Sequence, residues 1–284
     1  MKVEKLAVIG AGQMGGGIAQ VAAEAGLQVW LNDISLDLIE KGLAGIRQRL
    51  DKQVQKGKYS AEQARAVFER LHPAQHLEEL REVQFVVEAA TEKEDIKIDL
   101  FRRLDRLLPT EAILASNTSS IPITRLAAST RRPDRFIGMH FMNPVPVMKL
   151  VEIITGLATS EETLQTTLEL ARRMGKTCTR SRDFPGFIVN RILMPMINEA
   201  VYALYEGVGT PEDIDASMKL GTNHPMGPLE LADLIGLDTC LAILEVLHKG
   251  LGDSKYRPCP LLRQYVDAGY LGRKSGRGFY KYEG

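Results

Sequence analysis

Gly10-Ala11-Gly12-Gln13-Met14-Gly15 is a GxGxxG hexad set between a short apolar run and a stretch of helical pattern. Alone the hexad is weak; its setting constrains the fold. Residues 3–9 (VEKLAVI) predict a buried parallel strand, residues 12–26 a helix stopped at Gly26, and residues 28–32 (QVWLN) a second strand that halts at Asp33. That is a β-α-β unit of about 30 residues with an acidic residue at the end of its second strand. Gly10 permits a tight turn, Gly12 lets the backbone approach a pyrophosphate, and Gly15 lets helix and strand pack closely. Gln13 and Met14 open the helix, whose free N–H groups and positive dipole end suit phosphates. Asp33 would accept hydrogen bonds from ribose hydroxyls and repel a 2′-phosphate, so the expected cofactor is NAD rather than NADP. A glycine-rich turn with Asp33 as a helix cap is the plainer alternative; the combined context favours dinucleotide binding.

The rest of the first half repeats the alternation. Residues 36–57 and 60–71 read as two helices broken at Gly57–Ser60, an inserted helical hairpin over about 36–71, with Ser60 and Gln63 forming a capping box. Strands are predicted at 84–89, 112–116, 135–141, 149–154 and 176–180, and helices at 94–108 and 160–174. This predicts an α/β, Rossmann-type doubly wound sheet, mostly parallel and covered on both faces. The character changes near Asp183-Phe184-Pro185-Gly186. Beyond it lie helical patterns at 187–206, 211–219, 228–235, 237–249 and 260–268, then a basic, glycine-rich tail at 271–284. We therefore expect a dinucleotide-binding domain over 1–183 and an all-helical domain over 184–284.

Composition narrows the function. Lys plus Arg and Asp plus Glu both number 36, which removes the overall basic excess of a nucleic-acid binder. Cys178, Cys240 and Cys259 are far apart and odd in number, which points to free thiols in a reducing compartment, and no metal-ligand set appears; His72 and His76 read as surface residues. Residues 6–23 carry no charge, yet five glycines and two glutamines interrupt them, so a strand–turn–helix explains them better than a membrane span. The expected location is the cytoplasm.

Oxidation of a secondary alcohol needs a base for the O–H proton while hydride leaves carbon. Histidine suits the task, its ordinary pKa lying near 6.5. His140 ends one predicted strand, Glu152 lies on the next, and Pro146 is midway between them. A hairpin about Pro144–Pro146 would set the two side chains face to face, the carboxylate fixing the tautomer and stabilising the imidazolium. The alternative is a core histidine bonded to a carbonyl and a glutamate in a surface ion pair. Ser119 follows a strand at the carboxyl end of the sheet, where its hydroxyl can bond a substrate or merely cap a turn. Asn190, on the first helix of the second domain, can reach a substrate oxygen or sit between packed helices. Arg47, Arg49, Lys52, Lys56 and Lys58 share one stretch of the hairpin with only Asp51 opposing them, a patch suited to the phosphates of a coenzyme or to plain solvation.

Several longer motifs occur in order: Ser116-Asn117-Thr118-Ser119-Ser120, Gly138-Met139-His140-Phe141-Met142-Asn143-Pro144, Lys149-Leu150-Val151-Glu152, Pro185-Gly186-Phe187-Ile188-Val189-Asn190-Arg191, Asn223-His224-Pro225-Met226-Gly227-Pro228 and Gly272-Arg273-Lys274-Ser275-Gly276. Through them essentially the whole chain resembles the 3-hydroxyacyl-CoA dehydrogenase family, and most of all its bacterial 3-hydroxybutyryl-CoA members. The resemblance implies reversible, NAD-dependent oxidation of a short (S)-3-hydroxyacyl-CoA. It implies catalytic roles for Ser119, His140, Glu152 and Asn190, and further cofactor contacts at Glu92, Lys97, Asn143 and Lys274. Ser119, Asn143 and Asn190 would also touch substrate, with coenzyme A contacts on the hairpin at Lys52 and Lys56. A surface ion pair competes for Glu92 with Lys97, and solvation for Lys274. The second domain would bind substrate and form the contact of a homodimer or higher homo-oligomer. Two alternatives stand: a related dehydrogenase of a free hydroxy or sugar acid, such as an L-gulonate dehydrogenase, and a non-enzymatic dinucleotide-binding protein.

Overall fold

Apolar runs without alternation become strands buried on both faces. In the computed structural model, which describes residues 2–282, the chain divides into two units, Met1–Phe184 and Pro185–Gly284. The first holds β1 (Lys5–Ile9), α1 (Gln13–Glu24), β2 (Gln28–Asn32), α2 (Leu36–Gln55), α3 (Ala61–Phe68) and β3 (Leu71–Ala74). It continues with β4 (Phe85–Glu88), α4 (Glu94–Leu107), β5 (Ile113–Ser116), α5 (Ile123–Ala127), β6 (Phe136–Phe141), β7 (Leu150–Thr155), α6 (Glu161–Arg173) and β8 (Thr177–Arg182). The eight strands form one sheet in the order β3-β2-β1-β4-β5-β6-β7-β8. Neighbours are parallel except β6 and β7, which are antiparallel. The order reverses between β1 and β4, the switch point at which doubly wound sheets open a crevice at their carboxyl ends.

One strand escaped the sequence reading. The helix expected over 60–71 stops at Phe68, and Leu71–Ala74 pairs with β2 as an edge strand. Pro73 hid it, because proline lacks a ladder N–H and is tolerated only where one side of a strand goes unpaired. His72 is half-buried there, its ring 5.0 Å from that of Trp30 and its Nε2 2.6 Å from Gln28 Oε1. The opposite edge is β8, most of whose residues are exposed.

The α2–α3 hairpin forms as its caps predict. Ser35 accepts from Leu38 N, and Ser60 and Gln63 make a reciprocal capping box. The five-residue basic patch does not survive folding. Arg49 turns inward and donates Nε–H to Gln20 Oε1 at 2.7 Å, while the Arg47 guanidinium covers the Phe68 ring at 4.2 Å. At about 100° per residue Arg47 falls on the opposite side of α2 from Arg49, Lys52 and Lys56. Lys52, Lys56 and Lys58 remain at the surface.

The second unit comprises α7 (Val189–Tyr205), α8 (Pro211–Gly221), α9 (Pro228–Ile235), α10 (Leu237–Leu251) and α11 (Pro260–Asp267) around a core that includes Ile197, Val201, Leu229, Leu237, Leu244 and Leu247. Its tail is not loose. The buried Asp233 carboxylate accepts from Phe279 N, Tyr280 N and the Tyr282 hydroxyl, and buried Asp215 accepts from the Tyr280 hydroxyl and from Leu229 and Glu230 N–H. Burial pushes the Asp233 carboxyl above the usual range despite those bonds.

Candidate active site

The glycine turn follows from steric need at two positions and not at a third. Gly10 has φ +105°, and a Cβ there would meet Ala89 O at 2.5 Å. A Cβ on Gly15 would lie 1.7 Å from Gly10 O. A Cβ on Gly12 would meet nothing within 4 Å. The fold needs bare backbone at Gly10 and Gly15; at Gly12 only something outside the chain would need the space. No side chain caps α1 and no acid sits in its first turn, so its N-terminal end stays suited to an anion. Asp33 is fixed by accepting Ala11 N–H at 2.6 Å on one oxygen and Ile34 N–H at 2.7 Å on the other. A carboxylate oxygen has a further lone pair, leaving capacity for two ribose hydroxyls. Beside it opens a cavity of about 360 Å³ lined by Asn32, Ile34, His76, Leu100 and Arg103 among others, with Ile34 94% exposed as an apolar platform for a base. These residues fit a dinucleotide with an unphosphorylated 2′ position.

His140 and Glu152 are cross-strand partners on antiparallel β6 and β7, as a hairpin about the Pro144–Pro146 turn requires. Directly opposed residues stand close enough for their side chains to meet. Nδ1 of His140 lies 2.8 Å from Glu152 Oε2. Glu152 is fully buried and His140 is buried at 8% exposure. A carboxylate only accepts, so Nδ1 carries the proton that faces it, and Glu152 fixes the orientation of the ring.

The turns after β4 and β5 are joined by buried charge. Lys97 on α4 is 1% exposed; its Nζ is 2.5 Å from Glu88 Oε1 and 3.3 Å from Glu92 Oε2. This is not the surface ion pair weighed from sequence: α4 begins at Glu94, which puts Lys97 on the inward face of its first turn. Lys97 thus pairs with one acid at the end of β4 and one in the turn that follows it. One Glu92 oxygen accepts from the Thr118 hydroxyl at 2.5 Å, Ser119 N at 2.9 Å and the Ser120 hydroxyl at 2.9 Å, with the Ser119 hydroxyl farther off at 3.4 Å. Burial alone would raise the Glu92 carboxyl; the Lys97 charge and these hydrogen bonds hold it below the usual range. Asn117 Oδ1 accepts Phe141 N–H at 2.9 Å, tying the serine loop to the residue after His140.

Residues 5–184 match the family described as 3-hydroxyacyl-CoA dehydrogenase, NAD binding domain, and residues 186–282 the corresponding C-terminal domain. The chain belongs to the 3-hydroxyacyl-CoA dehydrogenase family. A probable 3-hydroxybutyryl-CoA dehydrogenase of Bacillus subtilis is 59% identical over 283 residues, covering 100% of this chain and 99% of that one. The 3-hydroxybutyryl-CoA dehydrogenase of Clostridioides difficile is 49% identical over 278 residues, covering 98% of this chain and 99% of its own. The crystal structure of (S)-3-hydroxybutyryl-CoA dehydrogenase from Ralstonia eutropha superposes with a TM-score of 0.98 at 49% identity, covering 100% of each chain.

Within this dehydrogenase fold the first unit brings together Gly10, Gly12, Gly15 and Asp33 about one turn, with Gly10 and Asp33 lining the cavity, His140 with Glu152, and Ser119 with Glu92 and, through it, Lys97. Asn143, next to a cis peptide with Pro144, is exposed past the end of β6. Asn190 is buried near the start of α7. Lys274 ion-pairs with Asp238 at 2.6 Å inside the second unit rather than standing free in solvent. Sequence reasoning missed Glu88 and Asn117. An acid closing the apolar run Phe85-Val86-Val87 was the available signal for Glu88, since a charge in a strand buried on both faces demands a partner. No helix among the described residues is long and apolar enough to cross a membrane.

Proposed function

We propose that this chain oxidises a short (S)-3-hydroxyacyl-CoA, 3-hydroxybutyryl-CoA above all, to the 3-oxoacyl-CoA, reversibly and with NAD. The observation that carries the reading is the His140–Glu152 pair, with its Nδ1–Oε2 distance of 2.8 Å inside a buried strand pair. Bound NAD supplies the acceptor for the hydride from C3. His140 Nε2 takes the 3-hydroxyl proton in oxidation and returns it in reduction. Glu152, desolvated and bonded to Nδ1, keeps the tautomer and stabilises the imidazolium. Ser119, its N–H pinned by Glu92, offers its hydroxyl to the 3-oxygen. Gly10, Gly12, Gln13, Met14, Gly15 and Asp33 hold the dinucleotide, with Glu92 and Asn143 beside its reactive end. Lys52 and Lys56, exposed on the hairpin, fit coenzyme A phosphates; Asn190 and Lys274 take the substrate and cofactor roles implied by the family motifs.

Self-association is proposed through the second unit, where α7 and α8 line a cavity of about 470 Å³ and Tyr205, Val208 and Leu220 are exposed apolar residues. Analytical ultracentrifugation checks it. The three free cysteines support a reducing, cytoplasmic setting.

The test is oxidation of NADH against acetoacetyl-CoA and against free acetoacetate, repeated with His140→Ala. Turnover of the thioester and not the acid, abolished in the variant with NADH binding intact, is the expected result. Near-normal turnover in His140→Ala overturns the assignment, and a preference for free acid overturns the substrate.

A further inference from the structure

The turn after β4, the first turn of α4 and the end of β5 meet at the Glu88 side chain. Its carboxylate is fully buried at the end of β4. Oε1 accepts Ala90 N–H at 2.7 Å and Lys97 Nζ at 2.5 Å; Oε2 accepts the Ser116 hydroxyl at 2.6 Å. The Ala89–Ala90 backbone held in this way is the surface against which Gly10 is packed, since a Cβ on Gly10 would lie 2.5 Å from Ala89 O and 2.9 Å from Ala90 N. Ser116 heads the serine loop, its Oγ accepting Thr118 N–H at 3.3 Å, and Asn117 N–H reaches the Glu88 carbonyl at 2.7 Å. Lys97 carries the link on to Glu92, which holds Thr118, Ser119 and Ser120. One carboxylate thus sets the spacing between the glycine turn that receives cofactor and the loop that presents Ser119.

We propose that Glu88 is a positioning residue of the dehydrogenase, locking the turn behind Gly10 to the Ser119 loop through Lys97, Ala90 N–H and Ser116. This rests on the function proposed above. A buried charge pair is a weak source of stability but fixes geometry in two directions at once, and small misplacement of reacting groups costs rate steeply.

The experiment compares wild type, Glu88→Gln, Glu88→Gln/Lys97→Met and Ser116→Ala by Tm, kcat, and KM for NADH and acetoacetyl-CoA, at a temperature where each is folded. Glu88→Gln leaves Lys97 poorly paired and should lower Tm; the double variant removes both charges and should regain most of it. A merely structural role predicts that activity returns with Tm. Positioning predicts that the double variant keeps a loss in kcat of about 10- to 100-fold, with a raised KM for NADH. Ser116→Ala removes the hydroxyl that joins Glu88 Oε2 to the serine loop, and with it the acceptor of Thr118 N–H, while leaving the Ala90 and Lys97 bonds of Glu88, so kcat falls while KM for NADH stays within about twofold, and this small deletion should fold whatever happens to the others. Either a refolded double variant with kcat and KM within twofold of wild type or a Ser116→Ala variant with unchanged kcat overturns the proposal. Wild-type turnover is measured alongside. Its absence refutes the dehydrogenase reading and takes this inference with it; its presence with unimpaired variants refutes Glu88 alone.

Discussion

Replacing Glu152 by Gln isolates the charge behind His140. The two side chains are nearly isosteric, and the wild-type contact is 2.8 Å in a fully buried setting, so the change removes a charge with little change of volume. If the glutamine turns its carbonyl oxygen to Nδ1, the tautomer is kept and only stabilisation of the imidazolium is lost. A hydrogen bond to a charged group contributes about 1.5–3 kcal/mol. At about 1.4 kcal/mol per decade this is a fall in kcat of about 10- to 150-fold. If instead the amide NH₂ faces Nδ1, the proton moves to Nε2, which can no longer accept one, and the loss is larger. Neither outcome touches the glycine turn, so NADH affinity should stay within about twofold. Steady-state kinetics of 3-hydroxybutyryl-CoA oxidation, with NADH binding followed by fluorescence titration, reads both quantities. A folded Glu152→Gln enzyme with kcat within twofold of wild type would refute the reasoning, because the carboxylate would then be no more than a packing partner.

Two of the three glycines of the hexad should separate folding from binding. Gly12→Ala meets nothing within 4 Å and should keep its Tm while raising the KM for NAD about tenfold or more; Gly15→Ala, with its Cβ 1.7 Å from Gly10 O, should yield little folded protein by thermal melt. Asp33→Ala should raise the KM for NAD by about 10-fold or more, from the loss of hydrogen bonds to a charged acceptor, and narrow the preference over NADP. Two groups set an acid limit on stability. Glu92 is held low against burial by Lys97 and the Thr118, Ser119 and Ser120 bonds, and Asp105 is held low against burial by Arg131 and Arg132. A depressed folded pKa means that the unfolded chain takes up protons first as pH falls. Their stabilisation is complete above the ordinary carboxylate range, about pH 4, and is lost as pH drops through the folded values. Tm measured from pH 7 to pH 3 should show this, and Lys97→Met, which lets the folded Glu92 value rise toward the ordinary one, should shrink the acid fall in Tm; an unchanged fall would remove Glu92 from the account.

The legible parts of the molecule were those set by local rules. A GxGxxG turn between strand and helix, Ser60 with Gln63, and a glycine after a helix each carry their own geometry, and Met14, Gln63 and Gly26 fell where those rules place them. The His140–Glu152 pairing was legible too, since prolines midway between two apolar runs leave a fold-back as the economical path. What stayed hidden depended on neighbours distant in sequence. Lys97 reads as a surface lysine until the sheet brings Glu88 beneath it, and Arg49 reads as solvated until α1 offers Gln20. β3 was obscured because Pro73 penalises a strand unless it lies at a margin, and a margin exists only once strand order is known.

The two margins of the eight-stranded sheet have a consequence for solubility. At β3 the proline cannot donate to a further ladder, and at β8 the outermost strand, Thr177–Arg182, is polar and carries Arg180 and Arg182, charges that would be stranded beneath an added chain. Open sheet edges are otherwise templates for aggregation. Here both margins carry features that resist the addition of a ninth strand.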